Sequence, residues 1–571
     1  MILFGAPDGA PLCFKEVLFM SVQEQYQNWL SSPVMPEELL SQLRSMDEET
    51  LHDSFYRTLS FGTGGLRGLL GAGTNRMNLF TVMKATRGLG EYLMEAFPSP
   101  SCAISYDSRI HSRDFAELAA AVLARMGITV HIYQTLQPTP MLSFAVRHLS
   151  ASAGIMITAS HNPASFNGYK VYGADGCQIT LDAASRIQHR IDLQPDLYDE
   201  LPSFDDGLSS GTIRYISDET IEAYYQAVWK LRVSPCSQPL HVVYSPLNGT
   251  GNIPVREILH RMGNIHVDVV SEQELPDGYF PTCPYPNPEI RAAMDLAIRK
   301  TIETGADLCF ATDPDCDRMG AGIRCGENVT LISGNDMGIL MLDYLCRHTG
   351  CSDPLPPVVI KTIVTTEMAQ ALCARYGLEL RNVLTGFKYI GEQIGLLEAA
   401  GQKDRFLFGF EESYGYLSGT NVRDKDAVNA VLLLCDMAAD LKASGKTLLD
   451  RLNELRSEYG IFVQRLLTYE YAGENGAIHM KQIMENLRGS ESRIPESALR
   501  NAVRTDYLMD NTGLPKSDVI SFRLSGDESI VIRPSGTEPK MKSYLFARAG
   551  TENEAQQKLE QLHMLSDRIC R

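Results

Sequence analysis

The sequence predicts an α/β protein built from several layered units, and three observations carry this reading. Short β-branched apolar runs recur along the chain, and each opens into a Gly-, Pro- or Asp-rich loop followed by helical periodicity. The runs are near-continuous rather than alternating, as expected of strands covered on both faces. The chain has 571 residues, which at about 150 per domain amounts to roughly four domains.

In chain order the runs are CAISYDSR (102–109), AGIMITASHNP (153–163), PLHVVYSPLNGTG (239–251), ADLCFATDPDCD (306–317), PVVIKTIVTTEM (357–368) and RFLFGFEESYG (405–415). Ligands of open α/β sheets collect at the loops after the strand carboxyl ends. Three runs end in loops dense with reactive side chains: Ser160-His161-Asn162-Pro163, Asp313 to Arg318, and Glu411-Glu412-Ser413. One such loop in each third of the chain points to three related domains facing one cleft.

Breaks between units are read from linkers. SVQEQYQNWL (21–30) is an amphipathic helix inside an N-terminal extension, 1–40. The acidic, turn-rich stretch 193–211 closes a first domain, 41–205. A second, 206–330, ends where Ser333 or Asn335 caps a new helix. A third, 331–458, ends after the helical stretch TLLDRLNELRSEYG, leaving 459–571 with one further loaded loop, Arg533 to Lys540.

Apolar residues at 44% and charged residues at 21% exclude wholesale disorder. Lys plus Arg is 52 against 70 for Asp plus Glu, a net charge of −18. That balance argues against nucleic acid or an anionic membrane as the main partner, although local basic clusters can still serve a small anion. The 13 Cys are odd in number and never spaced C-x-x-C, which fits a reducing cytosol and argues against a zinc ribbon or thioredoxin-like site. No segment offers the ~18 uninterrupted apolar residues of a membrane span, and the N-terminus lacks the basic region of a signal peptide. A cytoplasmic protein is expected.

The loops carry the chemistry. Asp313, Asp315 and Asp317 alternate, and in an extended loop such residues project to one side. Three converging carboxylates need a cation, and an all-oxygen set suits Mg²⁺. An EF-hand is excluded because its sixth and twelfth positions would be Arg318 and Arg324; a solvated acidic turn is the alternative. Ser160 follows a strand as a nucleophile would. No G-x-S-x-G surrounds it, His161 is close in sequence for a base, and Ser-His-Asn-Pro also reads as a simple turn. FGTGGLRG (61–68) and RPSGTEP (533–539) are candidate anion loops or ordinary tight turns, neither of them a Walker P-loop. Arg109, Lys170, Lys388 and Arg423 are further loop cations, each a surface charge when taken alone.

Together the motifs TASHNP (158–163), DPDCDR (313–318), GFEESYG (409–415) and RPSGTEPK (533–540) resemble, in family order, the α-D-phosphohexomutase superfamily. FGTGGLRGLLGAG, TASHNPASFNGYKVY and LTGFKYIGE are most similar to its bacterial phosphoglucomutase and phosphoglucomutase/phosphopentomutase branch. The resemblance runs from about residue 40 to the C-terminus. One departure is D-P-D-C-D, where many relatives place glycines between the aspartates.

The resemblance implies four domains around a central cleft, three related α/β domains of mixed sheet and a smaller α+β C-terminal domain. It implies a Mg²⁺-dependent phosphotransferase of the isomerase class, interconverting glucose 1-phosphate and glucose 6-phosphate through a phosphoserine and a glucose 1,6-bisphosphate that reorients. Ser160 would carry the phosphoryl group and complete a Mg²⁺ site with Asp313, Asp315 and Asp317. Lys170, as general acid/base, and Arg318 would lie beside the transferring group, with Arg67, Arg109 and His111 around the phosphoserine. Thr158, His161, Lys388, Glu411 and Ser413 would contact the substrate, and Arg533, Ser535, Gly536 and Thr537 would clamp its distal phosphate. Glucose 1,6-bisphosphate would prime the enzyme, a monomer or weak homodimer acting on small sugar phosphates. Phosphopentomutase, phosphomannomutase and glucose 1,6-bisphosphate synthase share this chemistry. A serine phosphatase and a non-catalytic sensor differ in class, and the intact Ser160, aspartates and Arg533 speak against the sensor.

Overall fold

The apolar runs fold as strands of four sheets in the computed structural model, which describes residues 21–571 except 63, 350–354, 472, 490–498, 500–501, 525–526 and 536–539. The first sheet holds β1 (Gly65–Leu69), β2 (Ser101–Tyr106), β3 (Thr129–Ile132), β4 (Ala153–Ile157), β5 (Phe166–Gly173) and β6 (Ile213–Tyr215), in the order β1-β5-β4-β2-β3-β6. The second holds β7 (Leu240–Ser245), β8 (Ile265–Val269), β9 (Leu308–Thr312), β10 (Met319–Cys325) and β11 (Asn328–Ile332), in the order β11-β10-β9-β7-β8. β12 (Val358–Thr362), β13 (Glu379–Val383), β14 (Phe406–Glu411) and β15 (Gly415–Ser418) form the third, in the order β13-β12-β14-β15. These three sheets are mixed. The fourth is antiparallel: β16 (Ile461–Glu470), β17 (Val503–Asp506), β18 (Ile520–Arg523), β19 (Ser529–Pro534) and β20 (Lys540–Ala549).

Near-continuous apolarity reflects burial: every residue of β4, β9 and β12 is buried. The loaded loops depart from the expected strand–loop–helix pattern, because each turns straight back into an antiparallel strand, β4 into β5, β9 into β10 and β14 into β15. In each turn one non-glycine residue takes a left-handed φ, Ser160 at 53°, Cys316 at 52° and Tyr414 at 65°. L-residues rarely adopt this conformation. Its appearance at the same place in three sheets marks one repeated supersecondary unit.

Two expected boundaries move. β6 pairs with β3, so the first unit extends past 205 to at least 215. Residue 41 falls inside the helix Glu37–Ser45, one of three N-terminal helices packed as a cluster, with the Trp29 ring centroid 5.5 Å from Phe55 and 5.2 Å from Phe80. Ser21 caps the first helix in a reciprocal capping box with Glu24. Ser333 caps the helix that opens the third unit.

One apolar core joins Phe144 of the first unit, Tyr244 and Phe310 of the second, Phe410 of the third and the helix Ala427–Ala443. The last sheet buries Ile520, Phe522, Ile532 and Leu545 under Leu559, Leu562 and Leu565 of the C-terminal helix. Among the described residues no helix is long and apolar enough to cross a membrane. Polar ties join the units as well: Arg232 Nε and Nη2 reach Asp436 at 2.5–3.1 Å, where both side chains are largely buried. Removing one partner strands the other charge, so Asp436→Ala should lower stability by about 3–5 kcal/mol in denaturant titration. A loss under about 1 kcal/mol would place that pair among solvated surface bridges.

Candidate active site

The serine loop is organised by its own backbone and by one arginine. The Ser160 N–H donates to Thr158 Oγ1 at 2.8 Å. The Arg109 guanidinium is buried and donates to the carbonyls of Pro163 (2.8 Å), Phe166 (3.1 Å), Ser160 (2.5 Å) and Asn162. A planar five-donor fork suits this task. So held, Ser160 Oγ donates to Asp313 Oδ2 at 2.8 Å and lies 3.2 Å from His161 Nδ1. The neighbouring His does reach the serine, contrary to the reading from sequence spacing. Burial, with the charges of Arg318 and Arg67, holds its imidazole well below the ordinary range and therefore neutral.

Asp313, Asp315 and Asp317 are buried, and one oxygen from each lies within 4.8 Å of the others. They converge through a tight turn rather than by extended alternation: Asp313 Oδ1 accepts from the backbone N–H groups of Asp317 and Arg318, with Cys316 left-handed between them. Asp315 Oδ2 accepts from Lys170 Nζ at 2.8 Å and Thr139 Oγ1 at 2.9 Å. Asp317 Oδ2 lies 3.1 Å from Lys425 Nζ and 3.7 Å from Lys170 Nζ. Burial and the adjacent carboxylates push Asp313 well up, whereas Lys170 outweighs burial at Asp315 and draws it down. Lys170 is pulled down by burial but raised on balance by Asp315 and Asp317, so it stands protonated. Asp315 Oδ1 and Asp317 Oδ1 are buried without a hydrogen-bond partner. Orphaned carboxylate oxygens in an all-oxygen nest fit a hard divalent cation.

Arg318 joins this turn to the third loop, pairing with Glu289 and donating to the Ser413 carbonyl at 3.1 Å. Glu411 Oε1 accepts from the Gly386 N–H at 2.9 Å, linking it to the segment that carries Lys388. Lys388 lies 5.2 Å from the Tyr389 ring centre, and burial lowers its ammonium below the ordinary value. From the last domain, Arg533 has a buried Nε without a hydrogen-bond partner, and the Ser535 N–H closes its loop on the Lys540 carbonyl at 2.7 Å. Arg533 acts electrostatically on the phenols of Tyr389 and Tyr544. Gly536 and Thr537 lie outside the described residues.

Ser160, His161, Lys170, Arg318, the three aspartates, Glu411 and Ser413 are thus linked across three domains. Arg67 joins through Asn162 Oδ1 at 3.3 Å. Three expectations change. Arg109 is committed to backbone carbonyls and positions the loop. His111 pairs instead with Asp114 (3.0 Å) and Glu38 (3.5 Å), and none of its hydrogen bonds or ion pairs among the described residues reaches Ser160. Arg423 is buried and binds Glu398 at 2.8 Å, and Glu398 also pairs with Arg147 of the first unit. Sequence reasoning missed Lys425, its neighbour Asp424, Tyr172, which donates to Asp424 at 2.7 Å, and Glu289. The one local signal was the charged run Arg423-Asp-Lys-Asp426 after the Glu-Ser loop.

Arg109→Lys loses the planar fork. Hydrogen-exchange mass spectrometry should show amide protection across 160–166 falling by about tenfold or more, a shift of ~1.4 kcal/mol. Unchanged protection would mean that the loop is held by other contacts.

Residues 58–195, 222–326 and 333–459 match, in turn, the alpha/beta/alpha domains I, II and III of phosphoglucomutase/phosphomannomutase. A curated phosphoglucomutase of Staphylococcus epidermidis (strain ATCC 12228) is 37% identical over 534 residues, covering 91% of this chain and 96% of the relative. One from Staphylococcus aureus (strain MSSA476) is 36% identical over 524 residues, 89% and 93% of the two chains. The crystal structure of a putative phosphomannomutase from Thermus thermophilus superposes with a TM-score of 0.66 at 22% identity, over 90% of this chain and 99% of that one. The open form of Paramecium pp63/parafusin, a phosphoglucomutase, gives 0.66 at 16% identity, over 90% and 95%. With three successive domains matched in order and more than a third of positions identical across nine-tenths of its length, the chain belongs to the phosphoglucomutase/phosphomannomutase family.

Proposed function

We propose that this protein is a phosphoglucomutase that interconverts glucose 1-phosphate and glucose 6-phosphate through phospho-Ser160. The observation that carries the reading is the Ser160 hydroxyl, 2.8 Å from the foremost of three buried carboxylates contributed by another domain. The relatives that match over nine-tenths of this chain are phosphoglucomutases, which favours glucose over mannose or pentose phosphates.

In the forward half-reaction the P–O bond to Ser160 breaks and a new one forms to the free C6 hydroxyl of glucose 1-phosphate. The sugar hydroxyl loses one proton and the serine oxygen gains one. In this reading Lys170, protonated beside Asp315, carries that proton, giving one to the departing serine oxygen and taking one from the sugar hydroxyl. Arg318 and Lys425 bring positive charge to a group whose negative charge spreads as it transfers. Asp313, Asp315 and Asp317 would hold Mg²⁺, which supplies Lewis-acid neutralisation of the phosphoryl oxygens.

The bisphosphate then turns around and presents its C1 phosphate to the serine, and a trace of glucose 1,6-bisphosphate primes dephosphorylated enzyme. Glu411 and Ser413 grip ring hydroxyls in either orientation, Lys388 lies alongside, and Arg533, Ser535, Gly536 and Thr537 clamp whichever phosphate is distal. A guanidinium and backbone amides read phosphate and ignore the carbon that bears it.

Purified enzyme given glucose 1-phosphate, Mg²⁺ and a trace of the bisphosphate should produce glucose 6-phosphate. Ser160→Ala should abolish this and lose the single phosphoryl group seen by intact mass. No product above the Ser160→Ala background, or free phosphate released faster than isomerised sugar, would refute the proposal. Asp315→Asn should lower kcat by roughly 10²-fold or more, at the scale of losing one preorganised electrostatic group. Near-wild-type turnover at saturating Mg²⁺ would remove the aspartates from the mechanism.

A further inference from the structure

Away from the cleft, the second sheet carries another group of metal-ligating side chains. β7 and β8 pair in parallel, with His241 opposite His266 and Val243 opposite Asp268. Residues two apart on a strand share a face, and directly paired residues share it too. His241, His266 and Asp268 therefore project from one side of the sheet. His241 Nε2 lies 2.8 Å from Asp268 Oδ2, His266 Nε2 lies 3.9 Å from the other carboxylate oxygen, and the two imidazole centres are 4.6 Å apart. One donor atom from each residue falls within 4.8 Å of the other two.

The group is separate from the aspartate turn. β8 is the edge strand of its sheet. His241 stands near the start of β7, whereas the loop after the end of that strand touches the aspartate turn, Thr250 N–H donating to the Pro314 carbonyl at 2.8 Å. The His241 backbone is fixed on both sides by Asp307, whose carboxylate accepts from its N–H at 2.9 Å and whose N–H donates to its carbonyl at 2.8 Å. The His266 side chain is 70% exposed, and its ring contact is with His241 of the same group.

Two imidazole nitrogens and one carboxylate oxygen are a borderline donor set. It suits Zn²⁺ and its first-row neighbours, where the all-oxygen aspartate nest suits Mg²⁺. Ligand bonds of about 2.0–2.2 Å are reached from the present spacing by rotating the exposed His266 ring inward. We infer that His241, His266 and Asp268 form a second cation site, for a borderline divalent ion of the Zn²⁺ class, with its remaining coordination positions left to water. The ion fastens edge strand β8 to β7.

The full-length enzyme, with Mg²⁺ at saturation to fill the aspartate nest, is titrated with ZnCl₂ in a calorimeter. The expected result is one Zn²⁺ bound per chain. Loss of a mere outer partner costs roughly 10–100-fold in affinity, so loss of a ligand in His266→Ala should cost at least that. Asp268→Asn should weaken binding as well, and Mg²⁺-dependent turnover of glucose phosphate should stay at the wild-type level in both. Zn²⁺ should raise the thermal midpoint of wild type and leave that of His266→Ala unmoved. Co²⁺ should give visible absorption bands of nitrogen ligation that His266→Ala lacks. Absence of Zn²⁺ uptake under saturating Mg²⁺, or affinities in wild type and His266→Ala within about tenfold, overturns the assignment.

Discussion

Three carboxylates sealed inside the protein within a few ångströms of one another are the constraint on which the assembly depends. At an effective dielectric of about 20, two unit charges 4 Å apart repel by about 4 kcal/mol. A five-residue turn cannot relieve this alone. Relief comes from elsewhere in the chain: Lys170 from the first domain, Lys425 from the third, and the hydroxyl of Thr139. The charges of the aspartate turn are balanced where the domains meet, beside the apolar core that joins them.

The same economy appears in the repeated hairpin. Each of the three α/β domains ends a buried strand in a turn with one non-glycine residue at positive φ, then returns antiparallel. Such residues cost of order 1–3 kcal/mol and persist where surrounding contacts over-determine them. Around Ser160 those contacts are the Thr158 hydroxyl and the Arg109 fork. The strained turn aims the serine oxygen at Asp313 and brings the adjacent imidazole into reach. Conformational strain is thereby converted into a fixed direction for the reacting oxygen.

Reading by residue type succeeded where chemistry is local and failed where it depends on partners. Alternating aspartates, the Ser-His-Asn-Pro turn and the Glu-Glu-Ser loop stood out as dense in reactive side chains because neighbours in sequence stay neighbours in the fold, while the residues alone left a plain turn open as the alternative. Arg109 was expected around the phosphoserine and Arg423 as a loop cation, yet a guanidinium serves equally to tie backbone carbonyls or to bury an interdomain carboxylate. His111 looked like part of the serine site and faces Glu38 and Asp114. Lys425, flanked by Asp424 and Asp426, drew no reading from the sequence, and its place against Asp317 follows from contacts between distant segments.

The apolar central strands and their burial, the helix beginning at residue 21, the cap near Ser333 and the identity of the reactive loops were written in the chain, since each depends on hydrophobic period or on side chains a few positions apart, whereas the hairpins that follow those loops were not. Where units end, which cations neutralise which acids, and how the serine loop is held were decided only in three dimensions. Pairing of β6 with β3, or of Lys425 with Asp317, depends on long-range packing and desolvation, and no stretch of sequence carries those terms by itself.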